Sequence, residues 1–73
     1  MNEIQLVYEI ISEVWKIAKK YKCEQLNNEA WQNFVDDGDA LRKKYVSKGK
    51  EIDLLVVELF MAILNYYERK NRL

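Results

Sequence analysis

The chain has 73 residues, 49% of them hydrophobic and 33% charged, and its 12 Lys and Arg balance its 12 Asp and Glu. That length holds one helical domain, 1–73, and the neutral balance gives no general pull toward nucleic acid or an acidic membrane. Cys23 is the only cysteine and there is no histidine, which excludes an internal disulfide and a Cys/His zinc site. A core this small then needs dense helix packing or self-association.

Met1-Asn2-Glu3 lacks the basic start of a secretory leader. The longest apolar run, 54–64, is broken by Glu58 and has about half the length needed to span a bilayer. The expectation is a cytoplasmic protein with no membrane partner. No proline is present and only two glycines, Gly38 and Gly49, in a chain rich in Leu, Ile, Glu and Lys. The expected fold is all-α: a compact three-helix bundle over about 2–22, 28–46 and 51–70.

In the first segment Ile4, Val7, Tyr8, Ile11, Val14, Trp15, Ala18 and Tyr21 recur at spacings of three and four, the helical period. Leu6, Ile10 and Ile17 widen the apolar side to an arc of roughly 200°. Gln5, Glu9, Ser12, Lys16 and Lys19 take the opposite face. Glu3 near the start and Lys19, Lys20 and Lys22 near the end suit the helix dipole.

The second segment starts after an Asn cap, Asn27 or Asn28. Trp31, Phe34, Gly38, Leu41 and Tyr45 form its seam, with Ala30 and Val35 beside them and Asp36, Asp39 and Lys43 facing away. An unbroken helix is the favoured form, with a break at Gly38 as the alternative. Ser47-Lys48-Gly49-Lys50 is the clearest turn, because Gly49 can take positive φ. Glu51 and Asp53 open the third segment; Arg69, Lys70 and Arg72 close it, with the last residues frayed.

The third segment is apolar on two flanks. Ile52, Val56, Leu59, Phe60, Ile63 and Tyr67 make one seam; Leu54, Val57, Met61 and Leu64 make a second, roughly 140° away. Glu51, Glu58, Ala62, Asn65 and Arg69 leave only a narrow polar stripe. Two neighbouring helices do not readily cover both seams, and an uncovered apolar patch of a few hundred Å² favours association. The expected interface therefore combines Leu54, Val57, Met61 and Leu64 with Leu6, Ile10 and Ile17 of the first helix. A two-fold homodimer is the simplest closure, and a different protein partner would satisfy the same surface. Trp15, Trp31, Phe34 and Phe60 are expected in the core, while Tyr66 and Tyr67 lean toward the contact surface.

A search for reactive chemistry returns little. If Gly38 is set at the sixth position of a calcium loop, Val35 falls on the third and Lys44 on the twelfth, where oxygen ligands are required. Asp39 is better read as pairing with Arg42 or Lys43 on a solvated face. The paired Glu-x-x-Glu and Glu-x-x-Asp of helical nucleotide pyrophosphatases are missing, since Glu9 and Glu13 are separated by one residue too many. Glu58 falls on the polar stripe with Glu51 and Asn65. Ser12 and Ser47 have no histidine to activate them, Cys23 has no resolving partner, and no Gly-rich phosphate loop exists. No catalytic, cofactor-binding or metal-ligating residue is thus expected, and no small-molecule substrate is indicated.

A basic patch of Arg42, Lys43, Lys44, Lys48 and Lys50 surrounds the second turn. It could contact phosphates, but the second helix carries acids on its outer face and the third lacks the polar face of a recognition helix. The expected function is a non-catalytic protein–protein interaction or regulatory module acting through an apolar helical surface. A nucleic-acid-associated regulator using the basic helix ends is the alternative.

Overall fold

The computed structural model describes residues 2–71 as an all-α three-helix bundle. Helix α1 spans Glu3–Lys20, α2 Asn28–Tyr45 and α3 Lys50–Asn71, with a short 3-10 turn at Val46–Lys48. Cross-links fix the directions. Lys20 meets Asp37 and Lys44 meets Glu13, so α1 and α2 run antiparallel; Arg42 meets Asp53, so α2 and α3 do too. Side by side, α1 and α3 are then parallel, and the bundle is a rod of 40 × 17 × 16 Å.

The helix ends have local causes. Asn2 and Asn27 each accept a backbone N–H three residues on, from Gln5 and Ala30, at 2.8 Å. Each carboxamide thereby satisfies an orphan donor of a first turn. Gly49 has φ of 118°, the conformation expected of it at the turn into α3. Helix α1 ends differently, without glycine: Lys22 and Cys23 both stand in the left-handed region, at 59° and 56°. That conformation costs an L-residue roughly 1–2 kcal/mol, so other contacts must hold it.

Those contacts come from the end of α3. The Tyr67 hydroxyl donates to the Ala18 carbonyl at 2.9 Å and accepts the Cys23 N–H at 2.8 Å. Ala18 is in the last turn of α1, where carbonyls lack helical partners. The Asn71 side chain accepts the Leu26 N–H at 2.9 Å, and Gln25 donates to the Lys70 carbonyl at 3.0 Å. Two expectations change as a result. Tyr67 is fully buried rather than a contact residue, because its hydroxyl has two backbone partners inside the fold. Asn71 is helical and bonded rather than frayed, while Arg72 lies outside the described residues.

The core has two halves. Ile10, Val14, Leu41, Tyr45 and Val56 form one, with Leu6, Ile52, Leu55 and Leu59 packed around them. Phe34, Phe60 and Tyr67 form the other, toward the α1–α2 connection, with Tyr21, Leu26 and Trp31 at its edge. Phe34 is the hub: its ring centroid lies 5.1 Å from Phe60, 4.9 Å from Tyr67 and 5.4 Å from Tyr21. Helix α2 runs unbroken through Gly38, which is buried against Phe60. A Cβ at this position would run into the Phe60 ring, so the missing side chain is what lets that ring in.

Candidate interaction surface

Helix α1 turns a different face inward from the one its strongest periodicity suggests. Ile10 is completely buried, Val14 and Ala18 nearly so, and Leu6 and Ile17 pack against the core. Of the expected α1 interface residues, Ile10 is therefore internal, while Leu6 and Ile17 are half-buried at the edge of the core. The residues left outside are Ile4 at 82% exposure, Tyr8 at 69%, Ile11 at 50% and Trp15 at 62%. Trp15 is thus a surface aromatic, contrary to its expected place in the core.

Ion pairs line the other flank of α1 in this orientation. Lys44 Nζ binds Glu13 Oε1 at 2.8 Å, and Lys20 Nζ binds Asp37 Oδ2 at 3.0 Å. The Tyr21 hydroxyl donates to the same Asp37 oxygen at 2.7 Å. Glu13 and Lys20 thus flank the α2 side of the helix, and Leu6, Ile10 and Ile17, adjacent to them on the helical wheel at about 100° per residue, turn inward. Burial alone would raise the Glu13 pKa, but Lys44 and the neighbouring Tyr45 hydroxyl outweigh it and hold the carboxyl below its ordinary value.

Ile4, Tyr8, Ile11 and Trp15 follow one another at spacings of four, three and four, which places them on one continuous stripe. Taking about 150–250 Å² for a fully accessible large side chain, the stripe offers on the order of 500 Å² of mainly apolar surface. That is the size of the largest apolar patch of a typical monomer, a patch that is often functional.

On α3 the two seams differ in burial only at their extremes. Val56, Phe60 and Tyr67 of the first seam are buried, with Ile52, Leu59 and Ile63 packed around them. Leu54 at 50% and Met61 at 43% exposure belong to the second. Val57, Met61 and Leu64 line a shallow groove of about 180 Å³ with Val35 and Gly38 of α2. Leu54, Val57, Met61 and Leu64 are thus brought together along one helix, but Val57 and Leu64 are already half-covered within the chain.

The basic residues divide too. Arg42 makes a two-pronged pair with Asp53, at 3.1 and 3.2 Å, in place of the expected pairing with Asp39. The guanidinium beside it lowers the Asp53 pKa. With Lys44 held by Glu13, only Lys43, Lys48 and Lys50 of the patch have no ion pair among the described residues.

Two features were not anticipated: the Tyr67 clamp and the solvent-facing α1 stripe. No sequence signal marks the clamp, since it depends on a backbone amide 44 residues away. The stripe does have a signal, the 4-8-11-15 spacing, but the same spacing describes a core seam equally well.

Among the described residues no helix is long and apolar enough to cross a membrane, and no three His, Cys, Asp or Glu side chains gather where they could hold a metal ion. Comparison with protein-family models, with curated proteins and with solved structures finds no match in any of the three.

Proposed function

We propose that the protein is a non-catalytic protein–protein interaction module whose docking face is the outer stripe of α1. The observation that carries this is the exposure by half or more of Ile4, Tyr8, Ile11 and Trp15 on one helix face. A monomeric fold gains nothing from such a stripe, whereas burying a large apolar side chain against a partner is worth about 1.5–3 kcal/mol. The partner is another polypeptide, because the face is apolar and aromatic and only its rim is charged, as in the centre of a protein interface.

A photo-crosslinking residue placed at Ile11 tests this in the native host, with Asp36, on the exposed acidic face of α2, as the control position. The proposal requires a discrete protein adduct from position 11 that is absent from position 36. Equal labelling at the two positions, or none at 11, would contradict it.

A further inference from the structure

Resting on the reading of α1 as a docking face, we infer that its occupant is a second copy of the same chain, lying antiparallel along α1 about a two-fold axis. Three observations specify that occupant.

The first is spacing. Intervals of four, three and four are those of a coiled-coil seam, in which alternate apolar residues mesh with those of a facing helix. Antiparallel alignment with the axis between residues 9 and 10 sets Ile4 opposite the partner's Trp15 and Tyr8 opposite the partner's Ile11. Both pairings match a smaller side chain to a larger aromatic one. Because the pairing is reciprocal, each chain uses the same patch, as a two-fold interface requires.

The second observation is charge. Beyond the intrachain pairs Glu13–Lys44 and Lys20–Asp37, the ionised groups of α1 and its end are sorted by sign. Glu3 and Glu9 occupy the first half; Lys16, Lys19 and Lys22 follow in the second, with no ion pair among the described residues. Antiparallel apposition opposes the two helix dipoles and brings the more acidic half of one chain to the same end as the basic half of the other, a long-range complementarity, since Glu3 and Glu9 lie away from the edges of the seam at about 100° per residue. Parallel apposition would set like against like. The complementarity is self-directed: it needs no charge pattern supplied by an unrelated protein.

The third observation is area. The stripe's surface, on the order of 500 Å² per chain, falls short of the ~800 Å² per partner of a standard interface, and the flanks must supply the rest. Leu55 and Leu59 of α3 are half-buried and pack against the α1 side of the core, with Tyr66 exposed at 39% on the same side of α3. They extend the apolar surface from α1 onto its parallel neighbour. The α2–α3 groove is a weaker candidate, since half its seam is already covered within the chain.

The geometry is tested with purified protein carrying Cys23→Ser. Gln5, exposed, and Ser12, half-exposed, lie along one edge of the stripe two turns apart on one helix. In the antiparallel pair, position 5 of one chain comes within about 3 Å axially of position 12 of the other. A chain with Gln5→Cys is mixed with one bearing Ser12→Cys and treated with a short bis-maleimide. The inference requires mixed covalent dimers in clear excess over products joining two position-5 cysteines, which lie about 13 Å apart axially in the antiparallel pair. It also requires a concentration-dependent dimer by sedimentation velocity. That dimer weakens about tenfold or more in Trp15→Ser, as expected for an interface aromatic. Products joining two position-5 cysteines in equal or greater amount, or a monomer at all accessible concentrations, would overturn it. A monomeric pure protein that still gives the position-11 adduct in the host would end the self-association inference alone. Absence of that adduct would end the docking-face reading as well.

Discussion

Helices α1 and α3 both carry apolar arcs too wide for a single stripe, yet each selects its inward face by a different force. On α3 the choice is made by shape and hydrogen bonding. Phe60 enters the space left by Gly38, and Tyr67 has a hydroxyl that reaches two backbone groups of the α1 terminus. Rotating α3 would lose both. On α1 the competing faces are nearly equal in hydrophobicity, each with isoleucines at helical spacing. There the polar flank accompanies the choice, through Glu13–Lys44 and Lys20–Asp37, and supplies the specific contacts that the alternative rotation would lose. Where apolar surface is in excess, the less abundant specific contacts distinguish one rotation of the helix from another.

Among the contacts that set the rotation of α3, the first to break is the notch at Gly38. Gly38→Ala should cost about 1–3 kcal/mol through overpacking against Phe60, despite a helix-propensity gain of about 1 kcal/mol. Pairing it with Phe60→Leu should recover part of that loss, because the smaller side chain yields to the new Cβ. Urea denaturation of the single and double variants measures both. If Gly38→Ala stabilises the protein, Phe60 is not held by the notch.

Next comes the clamp. Tyr67→Phe keeps the ring against Phe34 but leaves the Ala18 carbonyl and the Cys23 N–H without their partner. An unsatisfied buried polar group costs about 1–3 kcal/mol. The expected outcome is a lower Tm and faster hydrogen exchange at the Cys23 amide, with the exchange of mid-α2 amides changing no more than global stability does. An unaltered Cys23 amide would show that Lys22 and Cys23 hold their positive φ unaided.

The smallest effect is electrostatic. Glu13 has a folded pKa below its unfolded one, so its contribution to stability is fully present above the ordinary value of 4.5 and is lost as pH falls through the depressed value. Lys44 is largely exposed, so solvent screens the pair and its contribution is small. Lys44→Met should flatten the acid limb of the stability profile below about pH 4.5 while leaving the neutral region nearly parallel to wild type. An unchanged acid limb would remove Glu13–Lys44 from the forces orienting α1.

The three helices, the Asn cap of α2 and the Gly49 turn were all legible in the sequence, because each rests on local chemistry or on one strong periodicity. Helix α1 was legible as a helix but not in its rotation. Ile10 and Ile11, or Val14 and Trp15, differ too little in hydrophobicity to rank two overlapping faces. The partners that the other rotation would lose, Asp37 and Lys44, lie on another helix whose register the sequence does not specify. Of the expected surface, Leu54 and Met61 are exposed, Val57, Leu64, Leu6 and Ile17 are half-buried, and Ile10 is in the core, while Ile4, Tyr8, Ile11 and Trp15 stand further out than any of them except Leu54. The Tyr67 clamp was illegible for a related reason, since it joins residues 44 and 49 positions apart.

The adjacent isoleucines of α1 provide the most direct measurement. Urea denaturation of Ile10→Ala and Ile11→Ala, at protein concentrations low enough to keep the chain monomeric, compares the same chemical deletion on two sides of one helix. Ile10→Ala should lose about 2–5 kcal/mol, the range for deleting a buried isoleucine. Ile11→Ala, on the outer stripe, should stay within about 0.5 kcal/mol of wild type. Equal losses, or a larger loss from Ile11→Ala, would mean that α1 turns its other face to the core and that the stripe is not a surface at all.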